Sequence, residues 1–321
     1  MNEQFLYNFV KNLPENDATN MLSANRYCEQ LKKNEYAKFN DLDDQKALER
    51  YNKLMTYISK KPLKIYKLND FDDYDETFIL ETFTDVILNI FGYNTKIVDE
   101  IKSFILNIRH KETDDILDGY SIQMLNRITG NIEYSIMVPS IKNLSAIVCL
   151  SHEFIHYHLQ LNNMESNIFQ YGEILSIYAE KIATHIVEEK KLDLDIMKKI
   201  ENVRLDGVVW HNITNKQEVR NAVKLYSNIS SINKYMEDVK ELFYNYKKYS
   251  TALAHSYGIG YIYAENLYQM YLNDPKIATE KINKVLCGEE TLESILGYYN
   301  ISTNNKETFE TAKMKVTSIF K

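Results

Sequence analysis

The sequence is poor in residues that cross-link a chain or interrupt its helices. Its 321 residues include three cysteines, nine glycines and four prolines. The cysteines, Cys28, Cys149 and Cys287, are odd in number and widely spaced, which excludes a disulfide framework and matches no metal-knuckle pattern. We therefore expect reduced thiols and a cytoplasmic location, since reducing compartments keep thiols unpaired. The low glycine and proline content leaves few breaks between helices.

Long apolar runs and an excess of positive charge are also absent. No stretch reaches the roughly eighteen apolar residues that a membrane-spanning helix needs, and the first residues, Met1–Phe5, have no signal-peptide pattern. A net charge of −7 argues against a nucleic-acid partner, because contacts to phosphates require a basic surface. The content of 45% hydrophobic and 26% charged residues is typical of a globular protein without membrane contact.

Histidine is scarce too, with seven in the chain, yet the stretch 151–158 contains His152-Glu153-Phe154-Ile155-His156. On a helix, His152 and His156 point the same way with their Cβ atoms about 5–6 Å apart, so they can hold Zn²⁺ between two ring nitrogens. Glu153 stands beside the first histidine, where it can take a proton from a water held by the metal. A chance match should occur in roughly one chain in a hundred of this composition, so we expect a metal site.

The third ligand has to come from a following helix. We expect the motif helix from about Leu144 to Gln160, capped by Asn143 or Ser145, and a second helix over about 167–190. The class that uses a third histidine is excluded, because Leu159 and Asn162 occupy its glycine and histidine positions. The candidates that remain are carboxylates: Glu165, Glu173 and Glu180.

Glu173 and Glu180 cannot both bind one ion. They are seven residues apart, which places them on one helix face but about 10 Å apart along the axis. One would be the ligand, and the other would accept a hydrogen bond from a ligand histidine. Their spacing alone leaves the assignment open.

A β-hairpin is expected just before the motif helix. Alternating apolar residues run from 120 to 124 and from Ile132 to Val138 around the turn Thr129-Gly130-Asn131. The second run includes Tyr134, Ile136 and Val138, and as an edge strand it could hold an extended peptide by main-chain hydrogen bonds. The alternation fits a purely structural hairpin equally well.

At these residues the chain resembles the thimet oligopeptidase and oligoendopeptidase F group of zinc peptidases. That group has Glu-x-x-Ser-x-x-x-Glu on its second helix, matched here by Glu173, Ser176 and Glu180. The resemblance implies that Glu173 is the third zinc ligand and that Ser176 and Glu180 support the site. The group also has a strand that begins with a tyrosine and runs into the zinc helix, as the segment from Tyr134 to Val138 does here. Ile155 replaces the glycine usual in the group, and the chain is about half the usual length.

A third match lies downstream, at Ala254–Tyr261, which includes Gly258 and Gly260. The resemblance implies a flexible loop here, on which His255, Tyr257 and Tyr261 contact the substrate and the transition state. A tyrosine hydroxyl or a protonated histidine can stabilise a developing oxyanion by about 2.7–4 kcal/mol. The alternative is that these tyrosines belong to the core of a helix, and that the glycines allow a close backbone approach.

These observations predict a mainly α-helical metallopeptidase with a small β-hairpin beside its zinc helix. We expect a helical lobe over 1–115 and a catalytic lobe over 116–321 with a cleft between them, or one compact domain. The substrate would be a short extended peptide, and one Zn²⁺ would be bound per chain. Two alternatives remain open: a non-catalytic zinc-containing module that binds peptides or proteins, and a protease dedicated to one protein partner.

Overall fold

The computed structural model describes residues 45–125, 132–162, 169–227 and 236–320. Ten α-helices and three short strands lie within these ranges, which confirms the predicted fold class of helices with a small sheet. The candidate ligand Glu165, the hairpin turn at 129–131 and Cys28 lie outside the described residues.

Three amphipathic helices open the described chain. They are α1 (Gln45–Ile58), α2 (Glu76–Phe91) and α3 (Thr95–Leu106). Asp75 and Asn94 cap α2 and α3, since each side chain accepts a hydrogen bond from a backbone N–H of the first turn. Gly92 ends α2 with a φ of +70°, a conformation that favours glycine.

The sheet has three strands, β1 (Ile108–His110), β2 (Tyr120–Leu125) and β3 (Ile132–Val138), in the order β1-β3-β2. The antiparallel pairing of β2 with β3 confirms the predicted hairpin. The apolar pattern of residues 95–109 predicts one helix from Thr95 to Arg109 and no strand, but α3 ends at Leu106. Residues 108–110 instead pair in parallel with 136–138.

The histidine motif lies on α4 (Leu144–Leu161), which packs against α5 (Phe169–Glu189), and both helices agree with the predicted bounds to within two residues. Asn143 is the N-cap of α4, but its side-chain oxygen accepts from Ser145 Oγ at 2.6 Å rather than from the helix backbone. Phe154 lies about 200° round the helix from His152. Its ring packs edge-on against Phe91 and Phe104, so that face of α4 is held in the core.

The remaining helices are α6 (Ile196–Ser227), α7 (Met236–Asn273), α8 (Pro275–Leu286), α9 (Leu292–Tyr298) and α10 (Lys306–Ile319). The long helix α7 packs along both α5 and α6. This contact brings the C-terminal half of α7 against the helix that follows the histidine motif.

Buried side chains from Ala47 to Ile319 form one continuous core cluster. The sheet crosses the expected lobe boundary at residue 115, because β1 lies before it and the other two strands after it. The division into two lobes stays a prediction. Within the described ranges, no helix has both the length and the apolar content needed to cross a bilayer.

Candidate metal centre

The two motif histidines face each other across one turn of α4. Their Nε2 atoms lie 3.1 Å apart, and their ring centroids are 4.9 Å apart. All residues of the helix from Leu144 to Leu159 are buried except His156, which keeps 18% of its side chain exposed. The structure therefore brings the two imidazoles together, as the spacing predicts, with one of them reachable from solvent.

Glu173 from α5 completes a group of three. Its carboxylate lies 3.9 Å from His152 Nε2 and 3.8 Å from His156 Nε2. The candidate ligand atoms of the three residues all lie within 4.8 Å of one another. The three side chains are thus positioned to bind a metal ion.

Glu180, about two turns further along α5, contacts the opposite nitrogen of His152. Its Oε1 lies 2.5 Å from His152 Nδ1, and Arg204 from α6 donates to both of its oxygens, with Nε 3.0 Å from Oε2. Burial alone would raise the pKa of the Glu180 carboxyl, but Arg204 and His152 outweigh it and hold the pKa below its ordinary value. An ionised Glu180 favours the His152 tautomer with the proton on Nδ1, which leaves the lone pair of Nε2 for a metal ion.

Glu153 lies beside this group and is only 3% exposed. Burial, more than any neighbouring charge, raises the pKa of the Glu153 carboxyl above its ordinary value. Ser176 contacts the group from α5, with Oγ 3.2 Å from His156 Nε2. The predicted base and the predicted supporting serine therefore both lie at the histidines.

The donor set fits a zinc ion. Bonds of about 2.0–2.1 Å to a tetrahedral zinc would separate two ligand atoms by roughly 3.3 Å, close to the 3.1 Å between the Nε2 atoms. Within the described residues, Glu173 Oε2 and Glu153 Oε2 are buried oxygens with no hydrogen-bond donor. Buried acceptors of this kind need a partner, and a cation is a suitable one.

The predicted peptide-binding strand β3 is an edge over only part of its length. Ile136 pairs with Ile108 on one side and with Ser121 on the other, whereas residues 132–135 pair with β2 alone. The side chains of Ile136 and Val138 are fully buried, and the Tyr134 ring packs edge-on against Tyr157. Ile136 and Val138 are thus buried in the sheet, the substrate contact of Tyr134 stays a prediction, and the strand at the edge of the sheet near the histidines is β2.

The expected flexible loop at 254–261 is also wrong, because these residues lie inside α7. His255 is 4% exposed and its ring packs edge-on against Tyr51. Tyr261 has no exposed surface and lies under Lys181, whose Nζ is 4.8 Å from its ring centroid. Tyr261 is thus enclosed in the core, and the predicted contact of His255 with substrate stays a prediction.

Tyr257, of the same segment, is half-buried rather than buried. Its contact with substrate stays a prediction. Burial lowers the pKa of the Arg204 guanidinium, but the neighbouring Glu180 outweighs burial and raises the pKa above its ordinary value.

Sequence reasoning missed two residues at the centre, Arg204 and Gly119, and it did not predict the contact of Gly260 with Glu173. Arg204 lies 24 residues beyond Glu180, on a helix with no motif of its own. The backbone of Gly119 lies against Glu153, and that of Gly260 lies against Glu173. The scarcity of glycine was the only signal, and it pointed to Gly260 alone.

No protein-family model matches the chain. No curated protein shows significant sequence similarity to it. Among solved structures, the chain superposes on a crystal structure of a putative peptidase from Chlamydophila abortus with 12% identity and a TM-score of 0.44, covering 96% of this chain and 55% of that one. The chain thus spans about half the length of that protein, and similarity at this level establishes neither a shared fold nor a shared activity. Membership in the thimet oligopeptidase group stays a prediction from the motifs.

Proposed function

We propose that this protein is a zinc-dependent peptidase that cleaves short extended peptides, as a short relative of the thimet oligopeptidase group. The observation that carries the proposal is the convergence of His152, His156 and Glu173 within 4.8 Å, with the buried carboxylate of Glu153 beside them. Two imidazoles, a carboxylate ligand and an adjacent glutamate are the parts of a hydrolytic zinc site.

When bound, zinc would act as a Lewis acid that polarises both the attacking water and the scissile carbonyl. Glu153 accepts the proton of the attacking water and then delivers it to the nitrogen of the departing amine. Its raised pKa suits this double role, because a base whose pKa approaches the working pH both takes and returns a proton. Glu180 and Arg204 hold His152 in the tautomer that the site needs.

We place the peptide along β2. This strand is at the edge of the sheet and pairs with β3 on one side. Its start lies at the centre, since Gly119 is against Glu153 and Ser121 exchanges hydrogen bonds with Gln160 of α4. An extended peptide added to this edge would run past Glu153 with its carbonyl groups held by main-chain hydrogen bonds. A cytoplasmic location, expected from the cysteine usage, stays a prediction.

The test combines metal analysis with a quenched-fluorescence peptide library, with and without a chelator. We expect one zinc per chain and cleavage that the chelator abolishes. Glu153→Gln should keep the zinc and lose activity by about 10²–10⁴-fold, the usual contribution of a positioned base. Full activity in Glu153→Gln would refute the mechanism. Zinc binding and peptide affinity without turnover would indicate the binding module, whereas cleavage of a protein but of no library member would indicate a dedicated protease.

A further inference from the structure

Two glycines lie against the two carboxylates of the proposed centre. A Cβ built on Gly119 would lie 3.0 Å from Glu153 Oε1 and 2.7 Å from Cys149 Sγ. A Cβ built on Gly260 would lie 3.1 Å from Glu173 Cβ and 3.2 Å from Ile177 Cδ1. A side chain at position 119 would therefore meet Cys149 first and then press on the side chain of Glu153, and one at position 260 would press on Glu173 and Ile177 by a few tenths of an ångström.

Backbone conformation does not account for either glycine. The glycines with positive φ in the described residues are Gly92 and Gly288, so neither Gly119 nor Gly260 adopts the left-handed conformation. Gly260 even lies in the interior of α7, where alanine is the better helix former. The remaining reason for a glycine is that a Cβ would not fit without a shift of its neighbours. At both positions those neighbours include a glutamate of the proposed centre.

We propose that Gly119 and Gly260 are positioning residues of the centre: the first sets the place of the Glu153 carboxylate, and the second sets the place of Glu173. This inference rests on the proposed function. Gly119 comes from the segment that leads into β2, so it also fixes how closely the edge strand approaches the base. Gly260 lets α7 support α5 directly behind the proposed ligand.

The two positions should fail in different ways. In Gly119→Ala the carboxylate of Glu153 has to move, so kcat should fall about 10- to 100-fold while zinc content and KM stay near those of the wild type. In Gly260→Ala the backbone of Glu173 has to move by a few tenths of an ångström. Zinc affinity should then fall about 10- to 100-fold, and the absorption spectrum of the Co²⁺-loaded protein should change with the ligand geometry.

The chain offers matched control positions, and it also offers second substitutions that remove the other atom a new Cβ would meet. A Cβ at Gly207 or Gly297 would meet nothing within 4 Å, so Gly207→Ala and Gly297→Ala should keep kcat and zinc affinity unchanged. Cys149→Ala removes the sulfur that clashes at position 119, and Ile177→Val removes the Cδ1 that clashes at 260. The double variants Gly119→Ala/Cys149→Ala and Gly260→Ala/Ile177→Val should fold better than the single ones yet keep their defects, because the carboxylate contacts remain.

The outcomes separate this inference from the proposed function. Wild-type protein that binds no zinc would refute both. Wild-type protein that binds zinc but cleaves neither a library peptide nor a protein would refute the peptidase and the role of Gly119. The role of Gly260 would then be decided by the zinc affinity of Gly260→Ala. If the wild type is active and the two alanine variants behave like Gly207→Ala and Gly297→Ala, the inference alone fails. It also fails if a double variant regains wild-type kcat or zinc affinity, because the alanine would then have acted through Cys149 or Ile177.

Discussion

Two clusters of charged side chains lie side by side in the protein, and adjacent residues of α5, Glu180 and Lys181, belong one to each. The histidine cluster comprises His152, His156, Glu173 and Glu180 with Arg204, and the lysine cluster comprises Lys181, Glu201, Glu265 and Tyr261. In the lysine cluster, Lys181 Nζ lies 2.9 Å from Glu265 and also contacts Glu201, so one ammonium joins α5 to α6 and α7. Both clusters consist of carboxylates and cations in the core, and they differ in access and in the kind of cation.

Access is the first difference. The side chains of His152, His156 and Glu173 keep 11%, 18% and 10% of their surface, whereas those of Lys181 and Glu265 keep 4% and 0%. A cavity of about 10 Å³ between the clusters, lined by Glu180, Lys181, Glu201 and Arg204 among others, has room for about one water. A ligand from solvent can therefore reach the first cluster, and the second is closed to it.

The cation is the second difference. In the lysine cluster the cation is a side chain of the protein itself. Burial lowers the pKa of Lys181, but Glu201 and Glu265 outweigh burial and raise the pKa above its ordinary value. The imidazoles of the histidine cluster are positioned to bind a cation that the chain does not itself supply. We infer that the lysine cluster fixes the packing of the helices and the histidine cluster carries the chemistry.

The largest effect is expected from Lys181→Met. Removing the ammonium leaves two buried carboxylates unpaired, which typically costs about 3–5 kcal/mol of unfolding free energy. Urea denaturation measures the loss, and the folded fraction should still bind zinc. Lys102→Met, which breaks an exposed pair with Asp99, is the control and should have an effect near zero. Equal losses in the two variants would show that the lysine cluster does not hold the helices together.

Glu173→Gln should lose zinc binding and keep most of its stability, the reverse of what is expected for Lys181→Met. Losing a ligand should weaken zinc binding by at least about 100-fold, more than the loss of an outer partner usually does. The metal-free protein should lose little stability, because one oxygen of this carboxylate has no donor among the described residues. Competition with a chelator measures the affinity, and Glu189→Gln, on the exposed end of α5, is the control. Unchanged zinc affinity would remove Glu173 from the site.

The sequence predicts the elements of the histidine cluster but not the lysine cluster. Helices α4 and α5 agree with expectation to within two residues, because their apolar periodicity and the fixed histidine spacing are local properties. The ion pair between Lys181 and Glu265 joins residues 84 positions apart, and no periodic pattern reports such a contact. Local spacing therefore predicts which residues share a face, and tertiary packing decides what that face meets.

The same reasoning explains the errors. The three-residue strand β1 is too short for its alternation to be recognised, so the sequence predicts the end of a helix there. The resemblance implies a loop at the downstream glycines, although both lie inside α7, where they meet Tyr51 and Glu173. Gly258 and Gly260 therefore mark places where α7 approaches its neighbours closely.

A smaller effect is expected from Glu180→Gln, because Glu180 contacts the metal centre only through His152. Zinc affinity should fall about 10- to 100-fold, the usual cost of losing a carboxylate that orients a histidine ligand. Stability should fall too. A glutamine carries no charge and has one acceptor oxygen, so it cannot replace both hydrogen bonds that the half-buried Arg204 donates to Glu180. Measuring affinity and unfolding on one preparation tests both. A loss of zinc affinity greater than that in Glu173→Gln would exchange the roles of the two glutamates.

The smallest effect is expected when the pH is lowered and the unfolding free energies of the wild type and Glu201→Gln are compared. Burial raises the pKa of Glu201, but Lys181 outweighs it and lowers the pKa below its ordinary value of 4.5. Since the pKa is lower in the folded state, the ionised form stabilises the fold above pH 4.5, and that contribution is lost as pH falls through the folded pKa. Metal-free wild-type protein should therefore lose more unfolding free energy between pH 6 and pH 3 than Glu201→Gln, as urea titrations at each pH would show. Parallel curves for the two proteins would mean that Glu201 is not held ionised by Lys181, and the lysine cluster would then owe its stability to packing rather than to charge.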